Sequence, residues 1–255
     1  MDVNYFGLHV DTRGFRDFLR VHLACSSVVC QKELGTLPHL EKLLLSHNCL
    51  GNTCLEIGKW EWMEQTAISQ SLKELDISNN NFTELPLQIG KLQSLICLNV
   101  SQNLLTKVPQ IIGTLQHLAK LDLSTNLLLY LPGSMRGMEL DYLDTTNNPF
   151  RNQLDEYRSP TLKVASLLDL AAKAVKKYRL PHSHLPSSFA RYLENVKYCC
   201  ICRNPCFHSD IKDFRPLLDA ISFPRVCQSS TLTTDRAILF KCYFCSSKCY
   251  IYCET

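Results

Sequence analysis

A pattern of aliphatic residues and asparagine recurs three times in the middle of the chain at a constant interval. The copies begin at Leu72, Leu95 and Leu118, so successive copies lie 23 residues apart. Each copy has an aliphatic residue at its first, fourth and sixth positions and asparagine at its ninth. A unit of this length cannot bury its apolar side chains alone, and stacked units supply the core. The chain is therefore predicted to stack its repeats around one continuous core.

Weaker copies extend the repeat in both directions. They begin at Phe18, Leu40 and Leu140, and the last has Thr145 where an aliphatic residue is expected. The pattern fits the leucine-rich template, in which a short strand points its leucines inward and its polar residues toward a concave face. We predict an α/β fold, a horseshoe-shaped leucine-rich-repeat solenoid of about six units over residues 1–158, ended by its atypical last repeat. The predicted concave residues are Glu74, Asp76, Asn99, Lys120, Asp122, Asp141 and Asp144.

Two irregularities occur near the start of the solenoid. The copies at Leu40 and Leu72 are separated by 32 residues, which predicts an insertion or an irregular repeat around residues 60–67. The degraded copy at Phe18 leaves little room for the polar cap that a solenoid needs at its end. We therefore expect a cap or a preceding domain to be missing from this chain.

The composition narrows the class of protein. A net charge of +3 over 255 residues is too balanced for a nucleic-acid surface, so we predict no direct contact with nucleic acid. No apolar run approaches the roughly 18–20 residues of a membrane span, and the acidic second residue does not fit a secretory signal. An intracellular protein without membrane contact is expected.

A helical period follows a polar stretch at residues 151–160. Its apolar residues from Val164 to Tyr178 are spaced by three and four, and Pro181 is expected to end the helix. One interpretation is a helix that only seals the solenoid. The other is a helix that docks a partner.

The second interpretation comes from a resemblance of this helix to the BC box, the element by which substrate receptors bind elongin C. That motif has a small residue, then leucine, then a small residue four positions later and an aliphatic residue after four more. Leu167, Ala171 and Val175 take the last three places, with Ala171 where cysteine is commoner. Residues spaced by four lie on one helical stripe. The resemblance implies that this stripe binds elongin C.

The next segment resembles a cullin-2 box, in which an aliphatic residue and proline precede spaced apolar residues. Pro186 is expected to open a second helix. The resemblance assigns cullin binding to Leu185, Pro186, Phe189 and Leu193. Together the two boxes define a helical segment at residues 159–197.

Nine of the 14 cysteines lie between Cys199 and Cys253. In an intracellular chain such clustering favours metal ligands over disulfides. One Cys-x2-Cys pair and one Cys-x3-Cys pair supply the four thiolates of a closed, structural zinc site. We predict one zinc in a tail at residues 198–255, in which a strand near residues 237–241 returns the second pair to the first. The predicted ligands are Cys199, Cys202, Cys245 and Cys249. The alternatives are Cys200, Cys206 and Cys242, or a set of buried thiols without metal.

From about Leu19 onward, the repeats, both boxes and the paired cysteines together resemble the leucine-rich repeat protein 1 family. The resemblance implies a substrate receptor of a cullin-2 RING ubiquitin ligase, which is not an enzyme itself. Its implied partners are elongin B and C, cullin-2 and a protein substrate on the concave face. It further implies a location in the nucleus, with the cytoplasm as an alternative, and a role in removing a replisome helicase. The family's N-terminal domain of pleckstrin-homology type is missing here, so a fragment or short form is expected.

Two other functions compete with this one. A ligase with its own RING needs eight ligands around two zinc ions, and the cysteine spacing fits one ion better. A leucine-rich-repeat scaffold, such as a regulator of small GTPases without ligase association, needs the repeats but neither Leu167 nor Pro186.

Overall fold

A computed structural model describes residues 3–5, 8–10, 18–20, 35, 37, 39–48, 50–51, 60–150, 164–181, 184–207, 210–216, 226–227 and 238–252. The strands are β1 (Val3–Tyr5), β2 (Leu8–Val10), β3 (Phe18–Arg20), β4 (Lys42–Leu44), β5 (Glu74–Asp76), β6 (Cys97–Asn99), β7 (Lys120–Asp122), β8 (Leu131–Pro132), β9 (Tyr142–Asp144), β10 (Lys197–Tyr198), β11 (Pro205–Cys206), β12 (Ile211–Pro216), β13 (Val226–Cys227) and β14 (Leu239–Phe244). The α-helices are α1 (Thr66–Ser71), α2 (Leu167–Lys177), α3 (Ser187–Glu194) and α4 (Ser247–Tyr252). Within these ranges, every helix is too short or too polar to cross a bilayer.

A parallel sheet of seven strands runs along the repeats in the order β13-β9-β7-β6-β5-β4-β3. Leu75 lies opposite Leu98, which in turn lies opposite Leu121, and all three side chains are buried. On the other side of the core, short 3-10 helices begin after Pro86, Pro109 and Pro132. The predicted solenoid, with inward leucines on short strands, is therefore confirmed.

Asparagine side chains join each repeat to the previous one. The Asn103 side-chain oxygen accepts a hydrogen bond from the Phe82 amide at 3.1 Å, and its amide nitrogen donates to the Ile77 and Val100 carbonyls. Asn126 repeats this arrangement one unit later. The ladder satisfies buried backbone groups that the turns leave without partners. The residue before each ladder asparagine has a positive φ: His47, Asn79, Gln102, Thr125 and Asn147.

The long interval between the copies at Leu40 and Leu72 is an irregular repeat. It holds a 3-10 helix, Glu61–Glu64, followed by α1. Trp62, Met63 and Ile68 on these helices are each at most 1% exposed. These three side chains therefore fill the core, and residues 52–59 of the interval lie outside the described residues.

The first copy has a different register from the one its sequence indicates. The β3 backbone pairs Leu19 with Leu43, whereas a copy beginning at Phe18 would place Val21 opposite Leu43. The rest of that copy lies outside the described residues. Weak side-chain patterning leaves a register poorly determined, because the strand period is only two residues.

The cysteine-bearing tail closes the C-terminal end of the solenoid. Its strand β13 extends the parallel sheet beside β9, and β14 pairs with β8. The tail residues Ile211, Ile238, Phe240, Cys242 and Phe244 belong to the same core as the repeat leucines. The tail thus shares the core of the repeats, and the last repeat is covered. The predicted boundary at residues 151–160 lies outside the described residues.

Candidate functional site

Helix α2 begins with a capping box. The Ser166 hydroxyl accepts a hydrogen bond from the Asp169 amide at 3.1 Å, and the Asp169 carboxylate accepts from the Ser166 amide at 3.3 Å. The Tyr192 hydroxyl of α3 also donates to Asp169, which is buried. These bonds fix both the start of α2 and its position against α3.

The inner face of α2 packs within the chain. Ala172 is fully buried with Leu193 of α3 and with Phe207, and Val175 packs against this cluster. Lys173 pairs with Asp210, whose side chain is 5% exposed. The helix is therefore anchored through one stripe of its surface.

The outer face of α2 carries apolar side chains in solvent. Leu167 is 84% exposed and Leu170 is 52% exposed, and Ala171 is also exposed. Residues at i, i+3 and i+4 form one stripe on a helix. We call Leu167, Leu170 and Ala171 the leucine ridge. Of the residues predicted to bind elongin C, two lie on this ridge, while Val175 is half-buried against the inner cluster.

The residues predicted to bind cullin have mixed environments. Pro186 is exposed and directly precedes α3. Leu185 and Phe189 are half-buried at the edge of the inner cluster, and Leu193 is 1% exposed inside it. Leu193 therefore holds α3 to α2, and Pro186 offers the most accessible surface of the four.

The four cysteines predicted as metal ligands lie together, with all their sulfur atoms within 4.8 Å of one another. The first pair lies in the hairpin of β10 and β11, which turns at Arg203 with a φ of 60°. The second pair follows the end of β14 and enters α4. The Cys200 amide donates to the Tyr243 carbonyl at 2.9 Å, which holds the hairpin against β14 and brings the pairs together.

The sulfur spacing is compatible with zinc. The Sγ atom of Cys202 lies 3.3 Å from that of Cys245 and 3.7 Å from that of Cys249, and the latter two are 3.8 Å apart. Four sulfurs at about 2.3 Å from a zinc ion lie about 3.8 Å apart. A tetrahedral set of four thiolates leaves no position for water or substrate, so such a site is structural.

The Cys199 and Cys206 side chains shift each other's pKa in opposite directions. A hydrogen bond with the Cys206 thiol lowers the pKa of Cys199 to about 3, and backbone hydrogen bonds of Cys202 and Cys245 act in the same direction. The same bond raises the pKa of Cys206. The Cys206 thiol donates to the Asn204 carbonyl at 3.7 Å. Burial raises the pKa values of Cys245 and Cys249, so the four ligands are assigned from the mutual distances of their sulfur atoms.

The other two alternative ligands, Cys200 and Cys242, lie against the solenoid and not in the four-cysteine site. The Cys200 and Cys242 sulfurs both approach Gly133 of the last 3-10 helix in the solenoid. Within the part of the chain that the structure describes, neither belongs to a metal-ligand group. These two thiols fill the junction between the tail and the repeats.

The concave face contains a shallow depression of about 180 Å³. Five residues predicted for the concave face line it, together with Cys97 and Tyr142. Sequence analysis missed these two, although they occupy the same position of the repeat as Glu74 and Lys120. The five predicted residues are Glu74, Asp76, Asn99, Lys120 and Asp122.

Acidic groups on this face also stabilise the fold. One side-chain oxygen of Asp76 accepts a hydrogen bond from the Ser78 amide at 2.9 Å, and Asp122 does the same for the Ser124 amide at 2.9 Å. Glu74 pairs with Lys42 at 2.6 Å, and this hydrogen-bonded pair raises the pKa of Lys42. The face is therefore a mixed, polar surface suited to a protein partner.

The parallel sheet, the asparagine ladder and the polar concave face define a repeat protein that serves as an interaction scaffold. Residues 71–92 match the family described as Leucine Rich Repeat. Among solved structures, the chain is similar to a leucine-rich-repeat protein of Leptospira interrogans at 31% identity and a TM-score of 0.42. That alignment covers 52% of this chain and 32% of the other, so the chain spans about a third of that structure's length. A search of curated proteins finds no significant match.

Proposed function

We propose that the chain is the substrate-recognition subunit of a cullin-2 RING ubiquitin ligase. The observation that carries the proposal is the leucine ridge, which stays in solvent while the opposite stripe of α2 is anchored to α3. In this proposal the ridge binds elongin C, Pro186 contacts cullin-2, and the concave face binds the substrate. Its implied setting is the nucleus, at replisome disassembly.

The energetics favour a partner on the ridge. Fully burying a leucine side chain contributes about 1.5–3 kcal/mol, and Leu167 leaves most of its surface in water. A helix that serves only as a seal gains nothing from leucines on its outer stripe. An apolar stripe at helical spacing is the usual form of a helix that lies in a groove of another protein.

We propose that the four-cysteine site holds one structural zinc ion through Cys199, Cys202, Cys245 and Cys249. The ion fixes the hairpin of β10 and β11 to the end of β14. Only two residues separate α3 from β10. By holding the β10–β11 hairpin, the zinc ion therefore also fixes the position of α2 and α3 relative to the solenoid. The zinc therefore sets the distance between a substrate on the concave face and the adaptor on the ridge.

The direct test is co-purification of the tagged chain with elongin B and C from co-expressing cells. We expect the wild type to retain both subunits and Leu167→Asp to lose them. The matched control is Leu87→Asp, which changes a leucine that is 59% exposed on a 3-10 helix of the repeats. Retention of elongins by Leu167→Asp, or their loss from the wild type, contradicts the proposal and favours a scaffold without ligase association.

A further inference from the structure

Two thiols outside the four-cysteine site meet where the tail packs on the repeats. The Sγ atoms of Cys200 and Cys242 both lie within 2.7 Å of the point where a Cβ atom on Gly133 would be. Because glycine has no such atom, this residue leaves room for the two sulfurs to approach each other. Both cysteines are free thiols outside the group of four sulfurs that could hold a metal. The pair is therefore chemically separate from the proposed zinc site.

Backbone hydrogen bonds hold the two thiols beside each other. Cys200 lies between β10 and β11, whereas Cys242 belongs to β14 and directly precedes Tyr243. The Cys200 amide donates to the Tyr243 carbonyl at 2.9 Å, and the Tyr243 amide donates to the Cys200 sulfur at 3.4 Å. These two residues are 43 positions apart in the chain. The approach of the thiols is thus a product of the tertiary fold.

The two thiols differ in their access to solvent. Cys200 is partly exposed, whereas the exposed fraction of Cys242 is 0%. A dissolved oxidant therefore reaches the Cys200 sulfur first, and Cys242 reacts only through its neighbour. Peroxide-sensing sites commonly combine an accessible cysteine with a second thiol that completes the reaction. The unequal exposure of this pair fits that division of roles.

We propose that Cys200 and Cys242 form a reversible disulfide in response to peroxide. The Cys200 sulfur attacks one oxygen of hydrogen peroxide and the O–O bond breaks, which gives a sulfenic acid and one water. The Cys242 sulfur then attacks the Cys200 sulfur, the S–O bond breaks, and the leaving oxygen takes the Cys242 proton to form a second water. The two thiols lose two electrons and two protons in total. An external dithiol reverses the reaction by thiol–disulfide exchange and is oxidised in turn.

The disulfide would add a covalent bond between the β10–β11 hairpin and β14. The proposed zinc ion joins the same two segments, but through four other sulfurs. The disulfide therefore depends neither on the zinc nor on the ligase function. Oxidation is expected to keep the hairpin attached to β14 when a chelator removes the ion.

The test is peptide mapping of the full chain after treatment with equimolar hydrogen peroxide. The remaining thiols are blocked, and digestion with trypsin and chymotrypsin separates Cys242 from Cys245 by cleavage after Tyr243. We expect a peptide in which Cys200 is linked to Cys242, and dithiothreitol should release this link. Every link to Cys242 should be lost in Cys200→Ser. The matched control Cys97→Ser removes another partly exposed thiol and should form the linked peptide as the wild type does.

Dimedone, which reacts with sulfenic acids, tests the order of the two steps. In Cys242→Ser the sulfenic acid on Cys200 has no second thiol to consume it. This variant should therefore carry roughly tenfold more dimedone on Cys200 than the wild type does.

Three outcomes overturn the proposal. They are absence of the linked peptide in the wild type, links from Cys242 to another cysteine in Cys200→Ser, and equal dimedone labelling of Cys200 in Cys242→Ser and the wild type. If Cys242→Ser does not fold, judged by circular dichroism, the result for Cys200→Ser decides, because that position is partly exposed. Zinc measured in the same samples separates the two sites, since a zinc-free chain that forms the link contradicts the zinc site alone.

Discussion

The Sγ atom of Cys202 lies 3.3 Å from the Sγ atom of Cys245, although 43 residues separate them. The contact joins the hairpin that follows α3 to the end of β14, a strand whose other side belongs to the repeat core. The tail is thus connected at one point to both helices α2 and α3 and the solenoid.

Zinc content tests the four-cysteine site. We expect one zinc ion per chain by inductively coupled plasma mass spectrometry, and Cys202→Ser should lower this value well below one. Because a structural zinc stabilises the folded state, a strong chelator should lower the melting temperature of the wild type.

The control for this experiment is Cys97→Ser. Cys97 lies on the concave face, so its substitution should leave the zinc content unchanged. Two ions per chain would instead support a RING, and equal zinc content in Cys202→Ser and the wild type would contradict the assigned site.

A second prediction concerns the junction of tail and repeats. A Cβ atom on Gly133 would lie 2.6 Å from the Cys200 sulfur and 2.7 Å from the Cys242 sulfur. Gly133→Ala should therefore lower the free energy of unfolding by about 1–3 kcal/mol, the usual cost of overpacking. On Gly137 the Cβ atom would meet only the end of the flexible Arg203 side chain, at 3.3 Å. Gly137→Ala should be nearly neutral in the same urea titration, and equal effects of the two substitutions would argue against this junction.

The asparagine ladder gives a third prediction. Asn103→Ala removes the partner of the buried Phe82 amide, and it removes one of the two side-chain donors to the Ile77 carbonyl, which keeps its bond from Asn80. A buried polar group without a partner is costly, so we expect a loss of about 1–3 kcal/mol of unfolding free energy. Gln116→Ala, at an exposed position of the same repeat, should change stability by less than about 0.5 kcal/mol. A small effect of Asn103→Ala in thermal or urea unfolding would show that the ladder contributes little.

Truncation of a buried residue and of an exposed residue on helices α2 and α3 should have different effects on stability. Leu193→Ala empties a buried position between α2 and α3, and we expect it to cost about 3 kcal/mol of stability. Leu167→Ala changes a solvated side chain and should cost less than about 0.5 kcal/mol. Hydrogen exchange on α2 measures both effects locally. Comparable losses of protection would mean that Leu167 is packed within the chain.

The repeats could be predicted from the sequence because every unit repeats the same local pattern. The period of 23 residues correctly predicts that Leu75 and Leu98 point into the core. The asparagine at the ninth position of each copy indicates the residues that form the ladder. The cysteine spacing likewise predicted the four sulfurs that the structure brings together. Repetition and ligand spacing are local patterns, so both can be recognised in the sequence without knowledge of the tertiary fold.

The contacts that depend on distant segments were not predictable. The sequence around Val226 does not indicate that β13 extends the sheet of the repeats. The sequence around Gly133 does not indicate that the thiols of Cys200 and Cys242 pack against this glycine. The burial of Leu193 and the exposure of Leu167 also depend on how α3 folds back on α2. A helical period marks an apolar side chain, but the tertiary fold decides whether solvent or protein covers it.

The leucine ridge is tested most directly by isothermal titration calorimetry of the purified chain with purified elongin B–C. We predict a one-to-one complex. Leu167→Ala should weaken it by roughly thirtyfold, as expected if about 2 kcal/mol of leucine burial is lost, and Leu167→Asp should abolish the heat of binding. An unchanged dissociation constant for Leu167→Asp, or no heat with the wild type, would contradict the account.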